Sequence, residues 1–340
     1  MIGSMRLPKP RGPLSAALRA DLPAGRSVSA ATRSAATLAA RTPDPLADED
    51  LQLSLAICYE LHYRGFDDVD DGWEWDPGLL AVRALLEERH TAALHELVGA
   101  VDVTDAPVDE QLAAVVAADD GPSLSGYLAK RGTLEQWREY LTLRSVYHLK
   151  EGDPHTWAIP RISGRAKAAM VEIQADEYGG GAAGRMHSEL FAGLLRDLGL
   201  DDGYGALWDD APAVTFASVN TMSLFGLHRR WRAACLGHLA AVEMTSSEPS
   251  RRYALGLRRL GFPPATSVFY DEHVEADAVH EQIASVDMCG ALVADDPALT
   301  ADVLFGARCA LAVDGLTAVH LLGAWEAGRS GLRTDDALAA

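Results

Sequence analysis

The segment TSVFYDEHVEADAVHEQIASVDM, residues 266–288, sets His273, Asp277 and His280 at offsets of 4 and 7. At roughly 100° per residue, the three fall within about 60° on one helix face. Phe269, Ala276, Ile283 and Ala284 lie on or beside that face, whereas Asp271, Glu275 and Gln282 lie opposite and Glu281 on a flank. Two imidazoles and a carboxylate therefore point toward the apolar side. Leaving such groups unpaired in a core costs roughly several kcal/mol each. A metal ion removes that cost, because neutral imidazole and carboxylate are natural metal ligands. The chain must fold so that this stripe meets a metal or a buried polar network.

Elsewhere the pattern is helical. Residues 48–64 align Leu51, Leu55, Cys58 and Leu61 on one face, and residues 78–99 form a second Leu-rich helix. The acidic bridge GFDDVDDGWEWDPG between them reads as a loop, and residues 108–117 and 122–130 as short helices. Longer helices are predicted near 134–149, 163–178, 181–198, 212–246, 248–260, 264–291 and 296–328, punctuated by Pro160, Gly179-Gly180-Gly181, Pro212, Pro249 and Pro263-Pro264. AVTFASVNT, residues 213–221, is the nearest approach to a strand, and it does not alternate cleanly. The expected class is all-α, built as a bundle. Residues 1–42 hold seven basic residues and one acid, Asp21, with no lasting period, so residues 1–45 are expected to form a disordered tail. Its Arg-rich, acid-poor composition also suits a transit peptide, but it lacks the apolar stretch of a secretory signal. Residues 46–130 then form an N-terminal helical extension and residues 131–330 the main domain.

Composition removes several functions. Thirty basic against 49 acidic residues leave a net charge of −19, which argues against a nucleic-acid partner. No apolar run approaches the length of a membrane span. Cys58, Cys235, Cys289 and Cys309 are scattered with no CxxC, which fits a reducing cytoplasm. There is no G-x-G-x-x-G or Walker motif.

Three further segments carry polar residues among apolar ones. In DEYGGGAAGRMHSELFAGLL, residues 176–195, His187 shares a face with Phe191 and Leu194. The glycines either kink one helix so that Glu177 comes round to His187, or join two helices and leave Glu177 a solvated terminal acid. Glu243 is the one acid in CLGHLAAVEMTSS and needs His238, an Arg of His228–Arg232, or a metal as partner. In YHLKEGDPHTWAIPR, Glu151 fits an inward carboxylate at a helix end, while His148 and His155 read as structural or surface groups. Glu60, His62, His90, His95 and His320 show no partners, and the cysteines read as core.

The H-x3-D-x2-H pattern of His273, Asp277 and His280 resembles the third metal helix of the haem-oxygenase-like diiron oxidases and oxygenases, also called iron-containing redox enzymes. The resemblance covers roughly residues 130–328 and implies a haem-oxygenase-like helical bundle that binds two iron ions and no haem. By order and spacing it carries over Glu177 and His187 from an earlier helix, Glu243 as a bridging carboxylate, and Glu151 as an additional one. It implies O2-dependent oxidation of a small organic substrate such as an amino or fatty acid. Expected partners are that substrate and O2, with a homodimer as the candidate assembly and no nucleic acid or membrane. A ferritin-type site would need two E-x-x-H motifs, and Glu87–His90 supplies one. The alternatives are a metal-free enzyme like thiaminase II, which needs a cysteine lining the central cavity, and a non-enzymatic helical binding protein.

Overall fold

Apolar residues at helical spacing, started by capping side chains and interrupted by glycine and proline, fold the chain into an all-α bundle. The computed structural model describes residues 5–334, and the side chains of all of these except residues 276–278. The helices are α1 (Pro13–Asp21), α2 (Ser29–Arg41), α3 (Glu49–Glu60), α4 (Pro77–Val98), α5 (Val108–Ala117), α6 (Leu124–Arg131), α7 (Leu134–His148), α8 (Asp153–Thr156), α9 (Gly164–Glu177), α10 (His187–Asp197), α11 (Ala213–Leu227), α12 (Arg232–Arg259), α13 (Val268–Gln282), α14 (Ala291–Asp295) and α15 (Thr300–Glu326). Asp48, Asp76, Ser123 and Thr133 cap α3, α4, α6 and α7 by accepting backbone N–H bonds. Among the described residues the one β feature is a bridge between Met5 and Phe66.

At the centre α12 packs along α15. A Cβ on Gly237 would overlap the Val303 carbonyl, and one on Gly306 the Ala234 carbonyl, so the two backbones touch through paired glycines. The stretch Pro297–Glu326 is long and apolar enough to cross a bilayer, but it lies inside the bundle and more than half of its most apolar window is buried.

Several expectations are corrected. Residues 5–45 are not a disordered tail. Leu14, Leu18 and Leu22 form a four-spaced stripe that is fully buried, and Ala31 and Ala35 of α2 are buried too. Asp50 of α3 accepts bonds from Leu14 N and Ser15 N, both at 2.8 Å, so it caps α1 from another helix. The buried Arg11 pairs with Glu49 at 2.5 Å and donates to Trp208 O at 2.7 Å. The basic composition hid these specific contacts. Residues 213–221 are helical, as the first part of α11, in keeping with the helix expected from residue 212. The helix expected over 212–246 breaks at His228, whose backbone is extended, because Arg161 donates to the terminal carbonyls of Gly226 and Leu227. Pro249 does not end α12. The carbonyl that loses its partner belongs to Thr245, where the Thr245 hydroxyl bonds Ala241 O, and packing carries the helix through. Past α13, residues Ile283–Gly290 widen into a π-helix.

The extension and the main domain share one hydrophobic cluster, which runs from Met5 to Val313. Two buried polar networks reinforce it. Gln52 donates to Pro45 O and to His90 Nδ1, at 2.8 and 3.0 Å. That leaves His90 Nε2 to donate to Thr221 Oγ1 at 3.0 Å, while Thr221 donates to Ala217 O. In the second network Lys150 Nζ lies 2.9 Å from Glu60 Oε2, and Tyr204 donates to Glu60 Oε1 at 2.7 Å.

Two outcomes are expected. Lys150→Met leaves the fully buried Glu60 charge without its cation, so it costs about 3–5 kcal/mol of stability. The double variant Glu60→Gln with Lys150→Met costs less, as denaturant unfolding would show; a single-variant loss under about 1 kcal/mol contradicts this account. Burial lowers the His90 imidazole from 6.5 to about 4. Between those values the unfolded chain holds a proton that the folded chain does not, so stability falls as pH drops from 6.5 to about 4. Replacing His90 with Gln removes one proton, ~1.4 kcal/mol per pH unit, from that slope.

Candidate metal centre

Five chain segments deliver the polar residues. The end of α7 and the loop after it carry His148 and Glu151, and the end of α9 carries Asp176 and Glu177. The first residue of α10 is His187; α12 supplies Glu243, and α13 supplies His273 and His280. Glu151, Glu177, His187, Glu243, His273 and His280 are all at most 8% exposed. The side chain of Asp277 lies outside the described residues.

Glu151, His187 and His273 each bring one ligand-type atom within 4.8 Å of the other two. The imidazole rings of His187 and His273 are 4.4 Å apart. His273 Nδ1 donates to Phe269 O at 2.7 Å, which turns Nε2 toward Glu151 Oε1 at 3.6 Å. A backbone partner on the far nitrogen is the usual way a ligating histidine is oriented. His148 donates to Glu151 Oε1 at 2.8 Å and fixes that carboxylate in turn. Glu177 Oε2 lies 3.0 Å from His187 Nδ1. A second group adjoins: His280 Nε2 donates to Asp176 Oδ2 at 2.9 Å, and its Nδ1 faces Glu243 Oε2 at 3.3 Å.

The Gly-rich segment resolves into a turn between two helices, with Glu177 buried rather than solvated. Gly179, Gly180 and Gly181 all have positive φ. A Cβ on Gly179 would sit 2.6 Å from Arg185 C and 2.7 Å from Met186 N, so this turn closes only with glycine there. Gly152, at φ 87°, brings the Glu151 loop against Glu177.

The donor set fits a cation. Glu151 Oε2, Glu177 Oε2, His187 Nδ1 and His280 Nδ1 are buried with no hydrogen bond. Glu177 Oε2 approaches His187 Nδ1, and His280 Nδ1 approaches Glu243 Oε2, without hydrogen-bond geometry, as ligands aimed at a common centre do. Mixed imidazole and carboxylate donors suit iron. The electrostatics agree. Burial pushes the Glu151 carboxyl up, but His148 and His273 outweigh it and hold the group well below the usual carboxylate range. Burial, with Glu177 nearby, raises Glu243. Burial opposes a charge on His280, yet Glu243 and Asp176 carry it up to about 9.

A cavity of about 360 Å³ reaches Glu151, Glu177, Glu243 and His273 from the α7 and α15 side. Phe191 and Phe269 pack against His148 and His273 and keep water from that wall. None of the four cysteines, all buried and unpaired, lines this cavity. His155 and His238 form a buried pair at 3.1 Å that also borders it. Sequence reasoning missed Asp176 as a partner of His280 and His148 as the orienting group of Glu151. Adjacency to Glu177, and the three-residue spacing to Glu151, were the available signals. Glu87 and His90 are buried in structural networks, with no second E-x-x-H beside them.

Gly179→Ala should force the turn open and separate His187 from Glu177, abolishing tight metal binding in a titration. Gly181→Ala, whose Cβ meets nothing but whose φ is positive, should cost about 1–2 kcal/mol of stability and retain metal. Equal metal affinities in the two variants would refute the role of the turn.

No curated protein matches the chain. Residues 138–315 match the family model described as iron-containing redox enzyme, a span that holds every polar residue of the centre and more than half of the chain. The all-α bundle is accordingly haem-oxygenase-like, and the chain belongs to the family of iron-containing redox enzymes.

Proposed function

We propose that the protein is a non-haem diiron oxidase or oxygenase that uses O2 to oxidise a small organic substrate, an amino or fatty acid being the class in view. The observation that carries this reading is the set of buried, unsatisfied donor atoms on Glu151 and Glu177, which line the cavity, and on His187 and His280 beside them. Two groups of donors support two ions. Glu151, His187 and His273, with Glu177, would hold one; Glu243 and His280 would hold the other, and Glu243 would bridge.

Bound iron supplies one-electron chemistry and a site for O2 that amino-acid side chains lack. The chain's own residues do the rest. His148 and Phe269 O orient Glu151 and His273. Asp176 takes the Nε2 proton of His280 in a hydrogen bond, so that Nδ1 faces inward. The aromatic wall excludes water, which strengthens each electrostatic contact inside. The cavity admits a small molecule from one side. The four unpaired cysteines support a reducing cytoplasm as its place of work.

Anaerobic loading with Fe(II) should give close to two irons per chain, against one for a mononuclear site. His273→Ala and His280→Ala should each lose iron. Admission of O2 should then oxidise the bound Fe(II) in wild type far faster than in either variant. Absence of bound iron, or full retention in both variants, would remove the assigned centre.

A further inference from the structure

The cavity that reaches Glu151 and His273 has a second polar station. Arg144 lies one helical turn before His148 on α7 and lines the cavity. Its Nη2 is 2.6 Å from Asp314 Oδ1 of α15, which also lines it. Arg144 is mostly buried, with its side chain 24% exposed, while Asp314 is half exposed. Arg144 Nε is buried and makes no hydrogen bond, and neither does Tyr270 Oη in the same cavity.

Three buried tyrosines pack beside this pair. Tyr140 stacks on Tyr253 at 4.9 Å, Tyr253 meets Tyr270 at 5.1 Å, and the Arg144 guanidinium lies 5.5 Å from the Tyr140 ring. The line of rings continues through Phe269, 5.1 Å from Tyr270, to His273, 4.5 Å from Phe269. The station and the candidate metal centre are thus two ends of one cavity wall.

Charge balance limits what the station can hold. Arg144 retains an unused Nε–H, which favours a carboxylate. Its charge is already offset by Asp314, so a bare anion would meet repulsion from that carboxylate, and a bare cation repulsion from Arg144. A head group that carries both charges on neighbouring atoms satisfies both residues. The tyrosine faces add a favourable surface for an ammonium. We infer that Arg144 and Asp314 form the receptor for the zwitterionic head of an α-amino acid, with its carboxylate on Arg144 Nε and Tyr270 Oη and its ammonium on Asp314. The inference rests on the oxidoreductase reading and narrows its substrate class. Arg144 is about 6 Å along α7 from His148, the partner of Glu151, so the head group would sit on the wall that leads to the centre.

The test uses the full chain without iron, so that binding is measured apart from redox chemistry. The probes are the common L-amino acids, their N-acetyl and decarboxylated counterparts, and octanoate as a plain carboxylate, read by calorimetric titration. At least one L-amino acid should bind, and either modification should weaken it by about tenfold or more. Arg144→Met and Arg144→Lys should each weaken it by at least as much. Asp314→Asn should move preference from the amino acid toward its N-acetyl form and octanoate. Fe(II) loading by Arg144→Met should equal wild type, which shows that the variant folds and that the centre is intact. The inference fails if no L-amino acid binds, if octanoate or the N-acetyl form binds wild type as well as the parent, or if binding survives both Arg144 variants. Failure of wild type to take up Fe(II) would instead overturn the oxidoreductase reading, whatever the amino-acid titration shows.

Discussion

Burying three carboxylates beside three imidazoles in a helical core is tolerable only because the six face one another. Glu151, Glu177 and Glu243 would each be costly alone at this depth. Set against His187, His273 and His280, they form a centre whose charges compensate, by shared protons or by a cation. Much of the surrounding architecture serves that convergence. The glycine turn at 179–181 brings His187 at the start of α10 to Glu177 at the end of α9, the loop at Gly152 presses Glu151 toward Glu177, and the backbone contact of α12 with α15 fixes the helix that carries Glu243.

The sequence makes the helix-borne part of this centre legible and leaves the loop-borne part obscure. His273 and His280 share a face with Phe269, and periodicity alone turns them inward. Glu243 stands out because its neighbours are apolar. Periodicity says nothing about how one helix end meets another. So Glu177 and His187, ten residues apart across a turn, stay ambiguous until the glycine conformations are known. Likewise, His148 looks structural until its bond to Glu151 is seen.

The fold itself follows the same division. Most helices lie where spacing and caps put them. The errors fall where a distant contact outweighs a local rule. Pro249 sits inside α12 because packing along the helix outweighs one missing bond. The break at His228 follows from Arg161, 67 residues away in the chain, bonding the last carbonyls of α11. In the N-terminal segment, arginine, serine and proline dominate the composition and conceal the stripe of Leu14, Leu18 and Leu22. That stripe has meaning only once α3 is there to cover it.

The N-terminal extension then acquires a role that the family match does not contain. The matched span begins at residue 138, yet Glu60 of α3 reaches across to Lys150, the residue next to Glu151. Tyr204 and the Arg64 backbone N–H hold the other oxygen of the Glu60 carboxylate, and Arg64 also bonds the carbonyl of Leu149. Lys150 sits over the ring of Tyr63, so the loop is gripped by the end of α3 and the turn that follows it. A loop has little rigidity of its own, and a donor on it is only as well placed as the contacts around it. In this chain some of those contacts, from Glu60, Tyr63 and Arg64, come from outside the matched span. The extension is therefore better regarded as part of the shell that positions Glu151 than as an appended domain, which is consistent with the single hydrophobic cluster that joins the two.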